Sequence, residues 1–68
     1  MWVIYRAKRS ELHNIDLCVR VQLKEKWILL LYEDGSETTL EFETATHASQ
    51  AFSYLMEAIS RGDNLVNL

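Results

Sequence analysis

The chain has 68 residues, of which 49% are hydrophobic and 25% charged, and its formal net charge at pH 7 is −3. A single cysteine excludes an intrachain disulfide, and Cys18, His13 and His47 lack the close paired spacing of a structural zinc site. The longest apolar run has six residues, whereas a helix that crosses a bilayer needs about 20. Residues 1–68 therefore form one small domain of marginal stability, for which a partner subunit is the remaining common support.

The lone thiol and the N-terminal residues bear on location. A cysteine without a possible intrachain partner suits a reducing compartment. The N-terminus lacks the succession of basic, apolar and small residues that is typical of a secretory signal. We expect a cytoplasmic protein that has no membrane segment.

The first half of the chain contains two predicted strands. Residues 2–5 are β-branched or aromatic, which is typical of a strand, and the polar stretch 6–14 is predicted to be a loop. Apolar and polar residues alternate over 15–24, which predicts a half-buried strand of about ten residues. Its apolar face would carry Ile15, Leu17, Val19, Val21 and Leu23, and Cys18 would lie with Arg20 on the other face.

The second half predicts a hairpin. A turn within residues 24–26 leads into a third strand over 27–32, and Asp34-Gly35 closes the hairpin because glycine readily adopts a positive φ. The fourth strand, Glu37 to Glu43, alternates, with Leu40 and Phe42 directed inward. Its outward glutamates indicate a solvated sheet face rather than a cation site, because a flat strand does not converge its carboxylates.

An amphipathic helix follows the fourth strand. Thr44 or Thr46 is the predicted N-cap, and Gly62 is the predicted C-terminal cap. The fold class expected is α+β, a four-stranded antiparallel β-meander with this C-terminal helix packed on one face. The strand order would be 1-2-3-4, or strand 1 would lie beside strand 3. The apolar stripe of the helix consists of Ala48, Ala51, Phe52, Leu55 and Ile59.

The third strand is apolar on both faces, and its register is open. A two-residue loop at Asp34-Gly35 would place Leu29 opposite Leu40, so that the odd-numbered side chains face the helix. A three-residue loop with a bulge would place Ile28 opposite Leu40, so that the even-numbered side chains face the helix. The turn that precedes the strand favours the second register. Either way, three large apolar side chains remain on the face away from the helix.

This apolar surplus predicts a partner, since one helix cannot cover both sides of a sheet and the first strand is also apolar on both faces. We expect a non-enzymatic protein-interaction module that self-associates through the sheet face opposite the helix, most simply as a dimer, or binds another protein there. The alternative cover is the C-terminal tail, residues 65–68. The predicted interface residues are Trp2, Ile4, Tyr5, Trp27, Leu29 and Leu31.

No set of residues predicts an enzyme. His47 lies near Ser49, but the chain has neither G-x-S-x-G nor a glycine-rich oxyanion loop. We interpret His47 and His13 as surface histidines. One nearby arginine is weak support for a reactive Cys18, and no phosphate-binding loop occurs. We therefore predict no catalytic residue, cofactor or metal.

The charge distribution suggests an alternative function, the binding of single-stranded nucleic acid by the basic, aromatic N-terminal half. Residues 1–26 hold six cationic and three anionic side chains. Residues 27–68 hold one cationic and seven anionic side chains. A sheet with exposed aromatic rings and cations can stack bases. The negative net charge and the glutamates of the fourth strand argue against it. The cations in question are Arg6, Lys8, Arg9 and Arg20.

Overall fold

A computed structural model describes all of residues 1–68. Its strands form two three-stranded sheets, with strand orders β2-β1-β6, the terminal sheet, and β3-β4-β5, the central sheet. The predicted α+β class is confirmed, but the single four-stranded meander is wrong. The elements are β1 (Trp2–Tyr5), β2 (Glu11–Asn14), a 3-10 turn (Ile15–Leu17), β3 (Cys18–Lys24), β4 (Trp27–Tyr32), β5 (Glu37–Glu41), α1 (Ala45–Arg61) and β6 (Leu65–Asn67).

The terminal sheet exists because two short segments pair with β1. Strand β2, which lies in the predicted loop, runs antiparallel to β1 and places His13 opposite Val3. The tail forms β6, which runs parallel to β1 and places Val66 opposite Val3. Strand β1 therefore lies beside neither of the strands expected from the sequence. The tail does not cover the central sheet, because it extends the terminal sheet instead.

The alternation over residues 15–24 is realised only in part. Residues Ile15–Leu17 form the 3-10 turn, and the pairing register of β3 with β4 shifts between Cys18 and Arg20. An extra residue in one strand reverses its alternation. Cys18 therefore packs against the core, not beside Arg20 on the outer face, and Val19 is exposed. The 3-10 turn likewise leaves Leu17 exposed, whereas Ile15 is buried.

The hairpin between β4 and β5 adopts the three-residue loop. The Gly35 N–H donates to the Tyr32 carbonyl oxygen at 3.0 Å, and Gly35 has a φ of 88°. Ile28 lies opposite Leu40. The register with a bulge is therefore confirmed, and Ile28 and Leu30 are fully buried. The odd-numbered side chains of β4 point away from the helix.

Both predicted caps of the helix are present. The Thr44 Oγ1 accepts a hydrogen bond from the His47 N–H at 3.1 Å, which satisfies a donor in the first turn. Gly62 adopts a left-handed conformation with a φ of 74°. The Asp63 N–H donates to the Ala58 carbonyl oxygen at 3.0 Å, which completes a Schellman motif at the C-terminus.

One core of 12 buried residues joins the helix to both sheets. The helix contributes three alanines and Leu55, and the small alanine side chains let the helix approach the sheets closely. Phe52 is only partly buried, and Ile59, predicted to face inward, is exposed, since Ala58 takes its place. The core residues are Val3, Tyr5, Ile15, Ile28, Leu30, Leu40, Phe42, Ala48, Ala51, Leu55, Ala58 and Val66.

Tyr5 ties the terminal sheet to the central sheet. Its ring is fully buried and packs edge-on against Phe42 with the ring centroids 5.8 Å apart, and its hydroxyl donates to the Glu41 carbonyl oxygen at 2.6 Å. Tyr5→Phe should lower the free energy of unfolding by about 0.5–1.5 kcal/mol, because it removes the hydrogen bond and keeps the ring. Urea unfolding will measure this change. Tyr54→Phe, at an exposed position, is the matched control and should leave the midpoint unchanged.

Candidate interaction surface

The outer face of the central sheet is the side that points away from the helix. Residues directly opposite each other on neighbouring strands share a face, so the odd-numbered side chains of β4 lie between their partners on β3 and β5. This outer face consists of three rows, Lys24 with Trp27 and Glu41, Gln22 with Leu29 and Thr39, and Arg20 with Leu31 and Glu37.

An apolar ladder runs along the middle of the outer face. Trp27, Leu29 and Leu31 form it, and each is partly exposed. Every flanking side chain is polar, and the long stems of the lysine and arginine can lie along the ladder while their charges stay in water. The flanking side chains therefore shield the ladder at its sides, and the Nζ atom of Lys26 lies over the ring of Trp27, 5.6 Å from its centroid.

The charges on the outer face are separated into two columns. Arg20 and Lys24 form a basic column on β3, and Glu37 and Glu41 form an acidic column on β5. The Oε2 atom of Glu41 is 3.4 Å from the Nζ atom of Lys26, whereas the other three side chains form no ion pair within the chain. The outer face thus presents two unpaired cations, Arg20 and Lys24, on one side of the ladder and one unpaired carboxylate, Glu37, on the other.

A second apolar surface lies on the outer side of the terminal sheet. Trp2 is 46% exposed and lies opposite Leu65 of β6. Ile4 lies opposite Leu12 of β2, and Leu12 and Leu65 are each 56% exposed. The predicted interface residues are therefore divided: Trp2 and Ile4 lie on this surface, and the ladder of β4 lies on the other sheet. Tyr5 belongs to neither surface, because it is buried in the core.

The cations of the alternative nucleic-acid site do not form one groove. The Nζ atom of Lys8 is 2.8 Å from an oxygen of Glu43, and the Nε atom of Arg9 is 2.7 Å from an oxygen of Glu11. The hydrogen bond to Glu43 raises the pKa of Lys8. Arg20 lies on β3, at the edge of the central sheet opposite to β5. Two of the four cations are thus paired with carboxylates, and the four do not lie side by side.

The last residue of β1 and the segment that follows it contact the free edge of β5. Arg9 Nη2 donates to the Thr39 carbonyl oxygen at 3.0 Å, and the Tyr5 hydroxyl donates to the Glu41 carbonyl oxygen. Unpaired backbone N–H and C=O groups on an edge strand can form hydrogen bonds with a strand of another chain. These contacts satisfy two of the β5 carbonyls, so β5 is poorly suited to edge-to-edge association.

His13 lies in a polar contact between the two sheets, not in a surface loop as predicted. Its side chain is 14% exposed, its Nε2 lies 2.9 Å from Glu11 Oε1, and its Nδ1 lies 3.1 Å from the Tyr32 hydroxyl. Hydrogen bonds from Arg9 and His13 lower the pKa of Glu11, and burial raises the pKa of Tyr32. A raised pKa keeps the Tyr32 hydroxyl protonated, so less of the phenolate that could act as a nucleophile is present in this contact.

The sequence contained one signal for the His13 contact. Glu11 and His13 are two residues apart, which places them on the same face once the segment is known to be a strand. The polar composition of residues 6–14 predicts a loop and so hides this signal. Tyr32, the third member, is 19 residues from His13, so its approach depends on tertiary packing.

The remaining candidates for chemistry stand apart from one another. Burial raises the pKa of the Cys18 thiol, whereas a reactive thiol has a lowered pKa. His47 is exposed in the first turn of the helix, as predicted, with its ring centroid 5.2 Å from that of Phe42. No group of three or more His, Cys, Asp or Glu side chains is arranged to hold a metal ion. No helix has both the length and the apolar character that a membrane span requires.

No protein-family model, curated protein or solved structure matches this chain. The exposed surfaces are therefore the basis for inferring its function. The outer face of the central sheet is the surface on which an apolar ladder lies between side chains of opposite charge.

Proposed function

We propose that the protein is a small, non-enzymatic interaction module of the cytoplasm that self-associates as a two-fold dimer through the outer face of the central sheet. The observation that supports it most is the apolar ladder of Trp27, Leu29 and Leu31. An antiparallel sheet with one solvated face normally carries polar residues there. Strands β3 and β5 follow this rule on the outer face, and β4 does not.

Self-association would stabilise a domain that has little core. Only 12 of the 68 residues are buried, and small domains often depend on a partner subunit. Two sheets that stack face to face lie about 10 Å apart, so the ladders of two copies can pack on each other. Two-fold closure limits the assembly to two chains and is the commonest symmetry of soluble oligomers.

The size of the outer face sets the expected affinity. It offers nine side chains per copy, whereas a standard stable interface has roughly 20–30 residues on each side. A weak dimer, with a dissociation constant on the order of micromolar, is therefore expected. The mass should rise with concentration, from that of one 8.0 kDa chain in dilute solution to twice that value at about 100 µM.

Leu29→Thr tests the proposed surface. Leu29 occupies the middle row, and threonine retains a preference for strands while it removes most of the apolar contact. Each dimer loses two leucines of roughly 1.5 kcal/mol each, so the dissociation constant should rise roughly 100-fold. Sedimentation equilibrium will measure the mass, and circular dichroism will verify that the variant is folded.

Leu12→Thr is the matched control, because it removes an exposed leucine from the other sheet. It should leave the dimer intact. A wild-type chain that remains at 8.0 kDa at about 100 µM would overturn the proposal. A dimer that Leu12→Thr dissociates and Leu29→Thr does not would move the interface to the terminal sheet.

A further inference from the structure

We infer that the two-fold axis of the dimer runs parallel to β4, so that the basic column of one copy faces the acidic column of the partner subunit. The inference rests on the proposed self-association and names its partner as a second copy in a single orientation. It derives from the positions of Arg20, Lys24, Glu37 and Glu41 on the outer face.

Two simple orientations are possible when a sheet face packs on its own copy. An axis parallel to the strands exchanges left and right, so β3 lies over β5 of the partner subunit and positions along the strands are retained. An axis in the sheet plane and perpendicular to the strands leaves β3 over β3 and reverses its direction. Because β3 carries the basic column and β5 the acidic one, only the first orientation brings opposite charges together.

The rows also match in the first orientation. Arg20 and Glu37 both lie beside Leu31. Arg20 of one copy therefore lies at the same height along the strands as Glu37 of the partner subunit. Lys24 and Glu41 are related in the same way through the row of Trp27. The uncharged row of Gln22, Leu29 and Thr39 lies between them. The two columns on one copy are separated by two strand spacings, about 10 Å, which leaves room for the ladders to meet between them.

The pair of Arg20 with Glu37 should set the orientation most strongly. Neither side chain has an ion-pair partner within its own chain, whereas Glu41 already lies 3.4 Å from Lys26. Charges at the rim of an interface contribute modestly to affinity but select orientation, because like charges that face each other are repelled. In the perpendicular orientation Arg20 would face Lys24 of the partner subunit, which is unfavourable.

Arg20→Glu separates the two orientations. With the axis parallel to β4, the introduced carboxylate faces Glu37 of the partner subunit twice in each dimer, and the dissociation constant should rise at least about tenfold. With the perpendicular axis the same change would face Lys24 of the partner subunit and would strengthen the dimer. Arg6→Glu, an equal change of charge at an exposed site away from this face, is the control and should have little effect.

Charge reversal gives a second measurement. The double variant Arg20→Glu/Glu37→Arg should regain the wild-type dissociation constant to within roughly threefold, because the pair is exchanged rather than removed. The wild-type dimer should also weaken as the salt concentration rises from about 0.05 to 0.5 M. Sedimentation equilibrium gives all of these constants.

The outcomes distinguish this inference from the proposed function. If Leu29→Thr dissociates the dimer but Arg20→Glu leaves it unchanged or strengthens it, the orientation is overturned and the proposed function stands. If the double variant dimerises no better than Arg20→Glu, the pairing of Arg20 with Glu37 is overturned. A wild-type monomer at about 100 µM would overturn both proposals.

Discussion

Leu55→Ala is expected to leave the protein largely unfolded at 25 °C. Leu55 is fully buried in the helix and packs in the single core that joins the helix to both sheets. Removing a buried leucine costs about 2–5 kcal/mol, because apolar burial is lost and a cavity remains. A domain of this size rarely has more than about 3–5 kcal/mol of stability, so the change removes most or all of it.

Urea unfolding of dilute protein, followed by circular dichroism, will measure the effect without a contribution from association. Met56→Ala is the matched control, since Met56 is the next residue of the same helix and is exposed. Its midpoint should stay close to that of the wild type because alanine also favours the helix. The midpoint of Phe52→Ala should lie between those of Leu55→Ala and Met56→Ala, because Phe52 is only partly buried. Equal midpoints for Leu55→Ala and Met56→Ala would contradict the burial of Leu55 in the core.

Val66→Asp is the second change with a large expected effect. Val66 is 4% exposed on β6 and lies opposite the fully buried Val3. The core has no buried polar or charged residue that could pair with a carboxylate at this position. Burial of an unpaired charge costs several kcal/mol, so at neutral pH β6 should detach from β1 or the whole domain should unfold.

Leu65→Asp is the control for this prediction, because Leu65 is the neighbouring residue on the same strand and its side chain is exposed on the opposite face. It should change the free energy of unfolding by less than about 0.5 kcal/mol. Hydrogen exchange of the β1 amides will show whether β6 has detached, and urea unfolding will give the stability. Similar losses in the two variants would mean that Val66 does not enter the core.

Features that depend on neighbouring residues were predictable from the sequence. The caps at Thr44 and Gly62 and the hairpin at Gly35 each depend on hydrogen bonds within a few residues and on one special backbone conformation. The sequence leaves two registers open for the pairing of β4 with β5. The three-residue loop selected one of them, because it places Ile28 and not Leu29 opposite Leu40.

Features that depend on distant residues were not predictable. Strands β2 and β6 have four and three residues, and such short segments become strands only through pairing with β1. The burial of His13 follows from that pairing. The shift in register after Cys18 and the preceding 3-10 turn also separate β3 from the terminal sheet, so one expected sheet becomes two.

The candidate surface shows the same division. The amino-acid sequence alone predicts that β4 is apolar on both faces, because composition and the strand period of two are local properties. The pairing of β4 with β5 directs Trp27, Leu29 and Leu31 outward, and the burial of Tyr5 in the core depends on tertiary packing. The tertiary structure also placed the basic column on one side of the ladder and the acidic column on the other, since the pairing of β4 with both neighbours joins residues that lie apart in the chain.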